Sequence, residues 1–246
     1  MKTLYIIWQD TKSKNRMWQP VARADINSDK EEYTFQYTKG AKNPNFSPFP
    51  RMLNRSEKFT SPRLFPFFKN RMFPKNRPEF NQFLDWTGSN QDVDPLDLLI
   101  LLGGSKATDN YRVIMQPVPQ AGKYIQDFFV SGIQYIDEEA KEHISTIKQG
   151  DKLLIKYDNE NSSDKNAVML ISTENGLKLG YYPAYLNYDL RRLLGKTTTP
   201  NEHCKVTVLK NNSDAPTQYR LFCRFETKWL NDFQACSGEL YQPYSE

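Results

Sequence analysis

Two histidines and three cysteines are all that this 246-residue chain offers to metal or thiol chemistry. Cys204, Cys223 and Cys236 are odd in number and contain no Cys-x-x-Cys pair, which argues against a disulfide framework or a thiolate metal site. His143 and His203 have no cysteine or acid at ligand spacing, so neither a metal nor a cofactor is expected. No Gly-x-Ser-x-Gly elbow occurs. Gly103-Gly104-Ser105-Lys106 lacks the spacing of a phosphate-cradling loop and reads as a helix stop. Asp92, Asp94 and Asp97 gather at a helix start, where capping and the helix dipole explain them. Long apolar runs are also missing. No stretch approaches the roughly 18 residues of a membrane span, and Leu4–Trp8 is too short for a signal-peptide core. These absences point to a non-catalytic binding protein in the cytoplasm.

Aromatic residues are plentiful, at 13% with 14 tyrosines and 15 phenylalanines, and 38% of the chain is hydrophobic, enough for a packed core. The net charge of +4 is mild but unevenly spread: 18 basic against 12 acidic side chains up to Pro119, then 15 against 17. Eleven of the fifteen prolines precede residue 120. The segment Gln116-Pro117-Val118-Pro119-Gln120-Ala121-Gly122 has the composition of an extended linker. Two domains are therefore expected, at 1–118 and 119–229, followed by a tail at 230–246.

In the first half, Leu4–Trp8, Trp18–Ala24 and Tyr33–Thr38 read as strands, the last by its period-2 alternation. Residues 40–78 are rich in proline and aromatics without clear period. Pro78–Trp86 and Asp94–Gly103 read as helices, the second capped by Asp94 and stopped by Gly103. Tyr111–Met115 closes the half as a strand. In the second half, Asp127–Ser131, Lys152–Tyr157, Ala167–Ser172 and Leu177–Tyr182 read as strands. Asp137–Gln149 reads as a helix with Ile136, Ala140, Ile144 and Ile147 on one face. Tyr185–Leu194 is a second helix, and Cys204–Lys210 with Gln218–Phe225 form a hairpin in which Cys204 and Cys223 could face each other. Many short strands with few helices suggest a barrel that closes its own edges.

Four blocks carry a resemblance: Phe128-Phe129-Val130-Ser131-Gly132-Ile133-Gln134-Tyr135, Gly150-Asp151-Lys152-Leu153, Asp164-Lys165-Asn166-Ala167-Val168, and Gly176-Leu177-Lys178-Leu179-Gly180-Tyr181-Tyr182-Pro183. In this order they resemble the HIRAN domain, over residues of about 120–229. The resemblance implies a mainly-β, modified oligonucleotide-binding barrel with two short helices. It also implies a ligand, single-stranded DNA held by its 3′ end, as in helicase-like repair translocases. Tyr135 then matches an aromatic of the end-binding pocket, Asp164 the acid that receives the terminal hydroxyl, and Tyr181 a polar aromatic beside the strand. Gln134 stands where the family has a basic residue, Ser163 where it has a stacking tyrosine, and Ala184 near another basic position. Tyr135, Tyr157, Tyr181, Tyr182 and Tyr185 offer faces on which bases could stack, or rings for a barrel core. Asp164 and Asn166 serve equally well as turn residues entering a strand.

Tyr33-Thr34-Phe35-Gln36-Tyr37, Leu64-Phe65-Pro66-Phe67-Phe68-Lys69-Asn70-Arg71 and Leu98-Leu99-Ile100-Leu101-Leu102-Gly103-Gly104 resemble the N-terminal subdomain of HipA-type kinases. That implies an α+β domain over 1–118 and a protein partner, a kinase-like toxin, without kinase activity of its own. Between Arg51 and Arg77 lie eight basic residues and one acid, Glu57, with five phenylalanines between them. Arg63, Lys69, Arg71 and Lys75 of this segment are candidates for a nucleic-acid surface. The same composition fits a solvated loop with buried phenylalanines.

Overall fold

The computed structural model describes residues 1–14, 16–195 and 197–245. The chain forms two compact units, neither of them contiguous. Met1–Pro74, Asp94–Gln116 and Gln234–Glu246 make the first; Lys75–Val93 and Pro117–Phe233 make the second. Strands dominate both. Among the described residues no helix is long and apolar enough to cross a membrane.

The first unit is built on an antiparallel sheet of β1 (Lys2–Gln9), β2 (Trp18–Asn27), β3 (Glu32–Tyr37), β4 (Lys58–Ser61) and β5 (Tyr111–Met115). Its order is β4-β3-β2-β1-β5. Period-2 alternation buries Phe35 and Tyr37 of β3 while Gln36 stays partly exposed. The aperiodic segment after β3 is ordered by the short β4, a one-turn helix at Pro66–Lys69 and side-chain bonds to its backbone. The Tyr37 hydroxyl donates to the Met52 carbonyl at 2.7 Å and accepts from the Phe49 amide at 2.7 Å. Arg55 donates to the carbonyls of Ala41 and Phe46. These ties deliver Phe46, Phe49, Phe65 and Phe68 to the core. Each buried ring contributes roughly 1.5–3 kcal/mol. Two short helices, α1 (Pro66–Lys69) and α3 (Pro95–Leu101), complete the unit. Asp94 caps α3 by accepting from the Leu96 amide at 2.8 Å.

The second unit contains α2 (Pro78–Thr87), β6 (Lys123–Phe129), α4 (Glu138–Thr146), β7 (Lys152–Asp158), β8 (Ala167–Ser172), β9 (Lys178–Tyr181), α5 (Asn187–Leu194), β10 (Cys204–Asn211) and β11 (Leu221–Lys228). The sheet order is β6-β11-β10-β7-β8-β9, antiparallel throughout. Its two edges meet. Past β6 the chain leaves β11, and Ser131 bridges Tyr181 of β9 through two backbone hydrogen bonds of 2.8 Å. The sheet therefore curls and closes on itself at this end, which removes part of its exposed edge. Gly180 makes the closure possible. Its φ is +137°, and a Cβ there would lie 2.6 Å from the Ser131 carbonyl oxygen. Across the β6–β11 ladder Arg224 faces Asp127 and binds both its oxygens, at 2.7 and 2.8 Å.

Several expectations are corrected. Residues 1–118 do not form one contiguous unit, because α2 belongs with the second. Trp86 stacks on Tyr219 with centroids 5.2 Å apart, Asn212 donates to the Trp86 carbonyl, and Lys210 pairs with Asp85. Residues 234–245 are not a loose tail. The Tyr241 ring packs edge-on against Tyr5, the Tyr244 amide donates to the Tyr37 carbonyl, and Thr38 bridges Pro243. The strand expected at Asp127–Ser131 begins at Lys123 and ends at Phe129; the Val130 amide still donates to the Leu221 carbonyl, and Ser131 serves the closing seam instead. Cys204 lies opposite Thr227 and Cys223 opposite Val208, so the two thiols do not face each other. Burial pushes the Cys204 thiol up to about 12 and the Cys223 thiol higher, which leaves both unreactive near neutrality.

Candidate nucleic-acid interface

The seam that closes the second unit gathers the candidate residues. After Ser131, Gly132 takes a left-handed conformation and starts a one-turn 3-10 segment, Ile133–Tyr135. Ile133 is buried beneath the turn, whereas Tyr135 ends it with 80% of its surface exposed. A ring so exposed is not part of the barrel core, which settles the core alternative for Tyr135.

Across the seam, Tyr181 is half-buried. Its hydroxyl donates to Asp158 Oδ2 at 2.9 Å, and the Asn161 amide bonds both groups. Burial, then the Asp158 carboxylate, push the Tyr181 phenol above its ordinary value, so it remains a neutral donor at pH 7. Tyr182, the next residue along β9, points the opposite way. It is 1% exposed and packs against Phe128 at 4.5 Å and Phe225 at 5.8 Å. Its expected place on the DNA surface is corrected, because strand alternation puts it in the core.

The loop between β7 and β8 carries Asp164. Asn161 Oδ1 accepts from the Ser163 and Asp164 amides, both at 3.0 Å, and folds the loop back on itself. Asp164 Oδ1 accepts from the Asn166 amide at 2.8 Å, so the turn role expected for Asp164 and Asn166 is present. Asp164 Oδ2 accepts from Asn187 Nδ2 at 2.9 Å. A carboxylate offers about four acceptor sites, so these two bonds hold the group in place without exhausting it. Asn166 is exposed and contributes its backbone amide to the turn.

Two residues of this region escape motif reasoning. Asn187 is 3% exposed at the start of α5 and orients Asp164. Arg191, one turn further on, lies over the Tyr157 ring at 4.0 Å and donates to Asn159 Oδ1 at 2.7 Å. Their i, i+4 spacing places both on one helix face, a signal visible in the sequence once α5 is known to flank the loop.

The basic segment is divided between the two units. Arg63 and Lys69 are exposed in the first unit, whereas Lys75 belongs to the second and donates to the Gln91 carbonyl at 3.0 Å. Arg71 is corrected outright. It is 8% exposed, lies 3.8 Å over the Phe67 ring, and is paired with Asp109. Its guanidinium is committed to the core. Among the described residues no cluster of histidine, cysteine or acids is arranged to hold a metal ion.

Comparison with known proteins places the second unit. The family model of the HIRAN domain matches residues 123–229. The structure resembles that of a protein from Lactobacillus plantarum at 19% identity, over 43% of this chain and 97% of that one, with a TM-score of 0.34. It also resembles the HIRAN domain of human HLTF at 20% identity, over 44% of this chain and 83% of that one, with a TM-score of 0.31. No curated protein matches the sequence. The family model leaves residues 1–122 outside its bounds, so the HipA-type resemblance of the first half stands on its sequence motifs alone. Residues 123–229 form a HIRAN domain.

Proposed function

We propose that this is a non-catalytic DNA-binding protein whose HIRAN domain holds the 3′ end of a single strand at Tyr135, Asp164 and Tyr181. The observation that carries the reading is the exposed Tyr135 ring on the closing seam of a HIRAN domain. An exposed ring gives a terminal base a face to stack on, worth about 1–3 kcal/mol by alanine substitution. Asp164, held by Asn187 and the Asn166 amide, supplies the chemistry that tells an end from an interior position. Its carboxylate accepts a hydrogen bond from a free 3′ hydroxyl and repels a phosphate at the same place. Tyr181, held neutral, adds a polar aromatic edge beside it.

The test compares the affinity of the whole chain for short single strands ending in a 3′ hydroxyl or a 3′ phosphate. The hydroxyl end is expected to bind more tightly. Asp164→Asn keeps an acceptor for the turn but removes the charge, and is expected to bring the ratio towards one while most general affinity remains. Tyr135→Ala is expected to weaken both ligands. A ratio near one in the unaltered protein would refute end recognition. It would favour instead a protein-binding antitoxin or accessory subunit for a kinase-like toxin, the reading that Gln134, Ser163 and Ala184 would then serve.

A further inference from the structure

Helix α5 carries two arginine–aromatic pairs at consecutive positions, Arg191 and Arg192. Arg191 lies over Tyr157 at 4.0 Å, next to the loop that holds Asp164. Arg192 lies over Tyr188 at 5.4 Å and over Phe233 at 5.3 Å. Beyond Arg192 opens a cleft of about 470 Å³, lined by Arg192, Lys228, Leu230, Asn231, Asp232 and Phe233. That volume lies within the range of small-ligand sites. Tyr188, Arg192, Lys228 and Leu230 are exposed. Asp232 is the acid of the cleft, and Asp189, nearly buried, stands 4.0 Å from Arg192.

We propose that this surface is a single-strand track, resting on the end-binding reading: the strand runs from its 3′ end at Asp164 across α5 and into the cleft at Arg192 and Lys228. Sequence-independent single-strand grooves need cations along the backbone and aromatic faces for the bases. The α5 surface alternates these. The Asn187 side chain fixes Asp164 at the start of the helix, and Arg191 follows about 6 Å along the axis, four residues at 1.5 Å each. Arg192 and Lys228 supply two further cations, and Phe233 and Leu230 the apolar walls. The polarity follows from the fixed end: the strand's 5′ side lies towards Lys228.

The experiment uses the full chain and 3′-hydroxyl oligothymidylates from two to ten nucleotides, with binding read by fluorescence anisotropy across a salt series. Affinity is expected to rise with length over the first several nucleotides. Arg192→Ala with Lys228→Ala, at two exposed positions and checked to be folded by its unfolding midpoint, is expected to weaken the longer oligomers about tenfold. The same variant should lower the salt slope by about 1.4, at roughly 0.7 per lost phosphate contact. The 3′-hydroxyl preference should persist, because Asp164 is untouched. Unchanged length response and slope in the double variant, with the preference intact, would overturn the track and leave end recognition standing. A ratio near one together with an Arg192- and Lys228-dependent length response would overturn end recognition and the strand's origin and polarity, leaving only single-strand binding of no fixed polarity at Arg192 and Lys228. Absence of any binding would overturn both.

Discussion

Replacing Gly180 by alanine tests whether the closing seam holds the second unit together and positions its site. At φ +137° an alanine is strained by about 1–3 kcal/mol. Its Cβ would sit 2.6 Å from the Ser131 carbonyl oxygen and 2.7 Å from Val130 Cγ1. The valine methyl can rotate away, but the carbonyl is backbone, so the seam has to open. Opening removes the two hydrogen bonds between Ser131 and Tyr181, about 1 kcal/mol each. The expected destabilisation is about 3–5 kcal/mol, a large share of the 5–15 kcal/mol typical of a domain. With a urea dependence of about 2 kcal/mol per molar, the midpoint falls by roughly 1.5–2.5 M. Hydrogen exchange reads the event locally, since the Ser131 and Tyr181 amides are the seam donors and should lose protection first. The Tyr135 turn and Tyr181 flank the seam, so strand-end binding should weaken under conditions where the rest of the unit stays folded. Wild-type protection at these two amides, with a stability change under about 0.5 kcal/mol, would refute the seam's role.

Arg71→Ala is expected to destabilise the first unit by about 2 kcal/mol, because it strips Asp109 of its partner and Phe67 of its stacked cation; the figure is reduced because Asp109 is partly exposed. Chemical denaturation measures this, while Arg63→Ala and Lys69→Ala should stay within about 0.5 kcal/mol; equal effects for all three would undo the distinction between core and loop cations. Tyr182→Phe removes a buried hydroxyl that has no hydrogen-bond partner, so stability at pH 7 should hold or rise by about 1 kcal/mol with DNA affinity unchanged. Burial, then nearby acidic groups, hold the Tyr182 phenol well above its ordinary value in the folded state. Its contribution is therefore complete below the unfolded value of about 10 and is lost as pH rises beyond it, at about 1.4 kcal/mol per pH unit. The phenylalanine variant should flatten the alkaline limb of the stability curve by that slope, and an identical limb in both proteins would contradict the assignment.

The regular elements were legible because their side-chain periods are local. Ala140 and Ile144 line the buried side of α4, while Ile136 and Ile147 are buried just beyond its ends in extended backbone, and Leu190, Leu193 and Leu194 line the buried side of α5. The short β4 and α1 were not legible, since residues 40–78 are ordered by the Tyr37 hydroxyl and the Arg55 guanidinium, contacts across many residues that leave no period. The linker composition at 116–122 does mark one crossing between units. The other crossings, near residues 74, 93 and 233, depend on Trp86 stacking on Tyr219 and on Tyr241 meeting Tyr5, pairs far apart in sequence. Of the candidate residues, the motif pointed to Tyr135 and Tyr181, which flank the seam. Tyr182, named as one of several rings for stacking or for the core, lies in the core because a strand sends neighbours to opposite faces.

The charge bookkeeping of the second half also needs a spatial reading. From residue 120 onward acids outnumber bases by 17 to 15, which by itself argues against a phosphate track. A phosphate, however, responds to charges within a screening length of about 10 Å at moderate salt, not to a sum over half a chain. Several acids of this half face cations elsewhere on the sheet or helices: Asp127 faces Arg224, Glu226 faces Lys123, and Glu138 faces Lys141. Asp137 and Asp151 are drawn to backbone amides at helix and turn starts. Arg191 and Arg192 stand on consecutive positions of α5 beside aromatic rings, and Lys228 borders the same cleft as Arg192. On the proposed track, the positive charge missing from Gln134 and Ala184 would come from these residues, beside which Asp189 and Asp232 also stand. A near-neutral domain can in this way carry a locally cationic, aromatic-lined path. Its affinity would then depend on salt through the few phosphates on α5, not through the net charge of the whole.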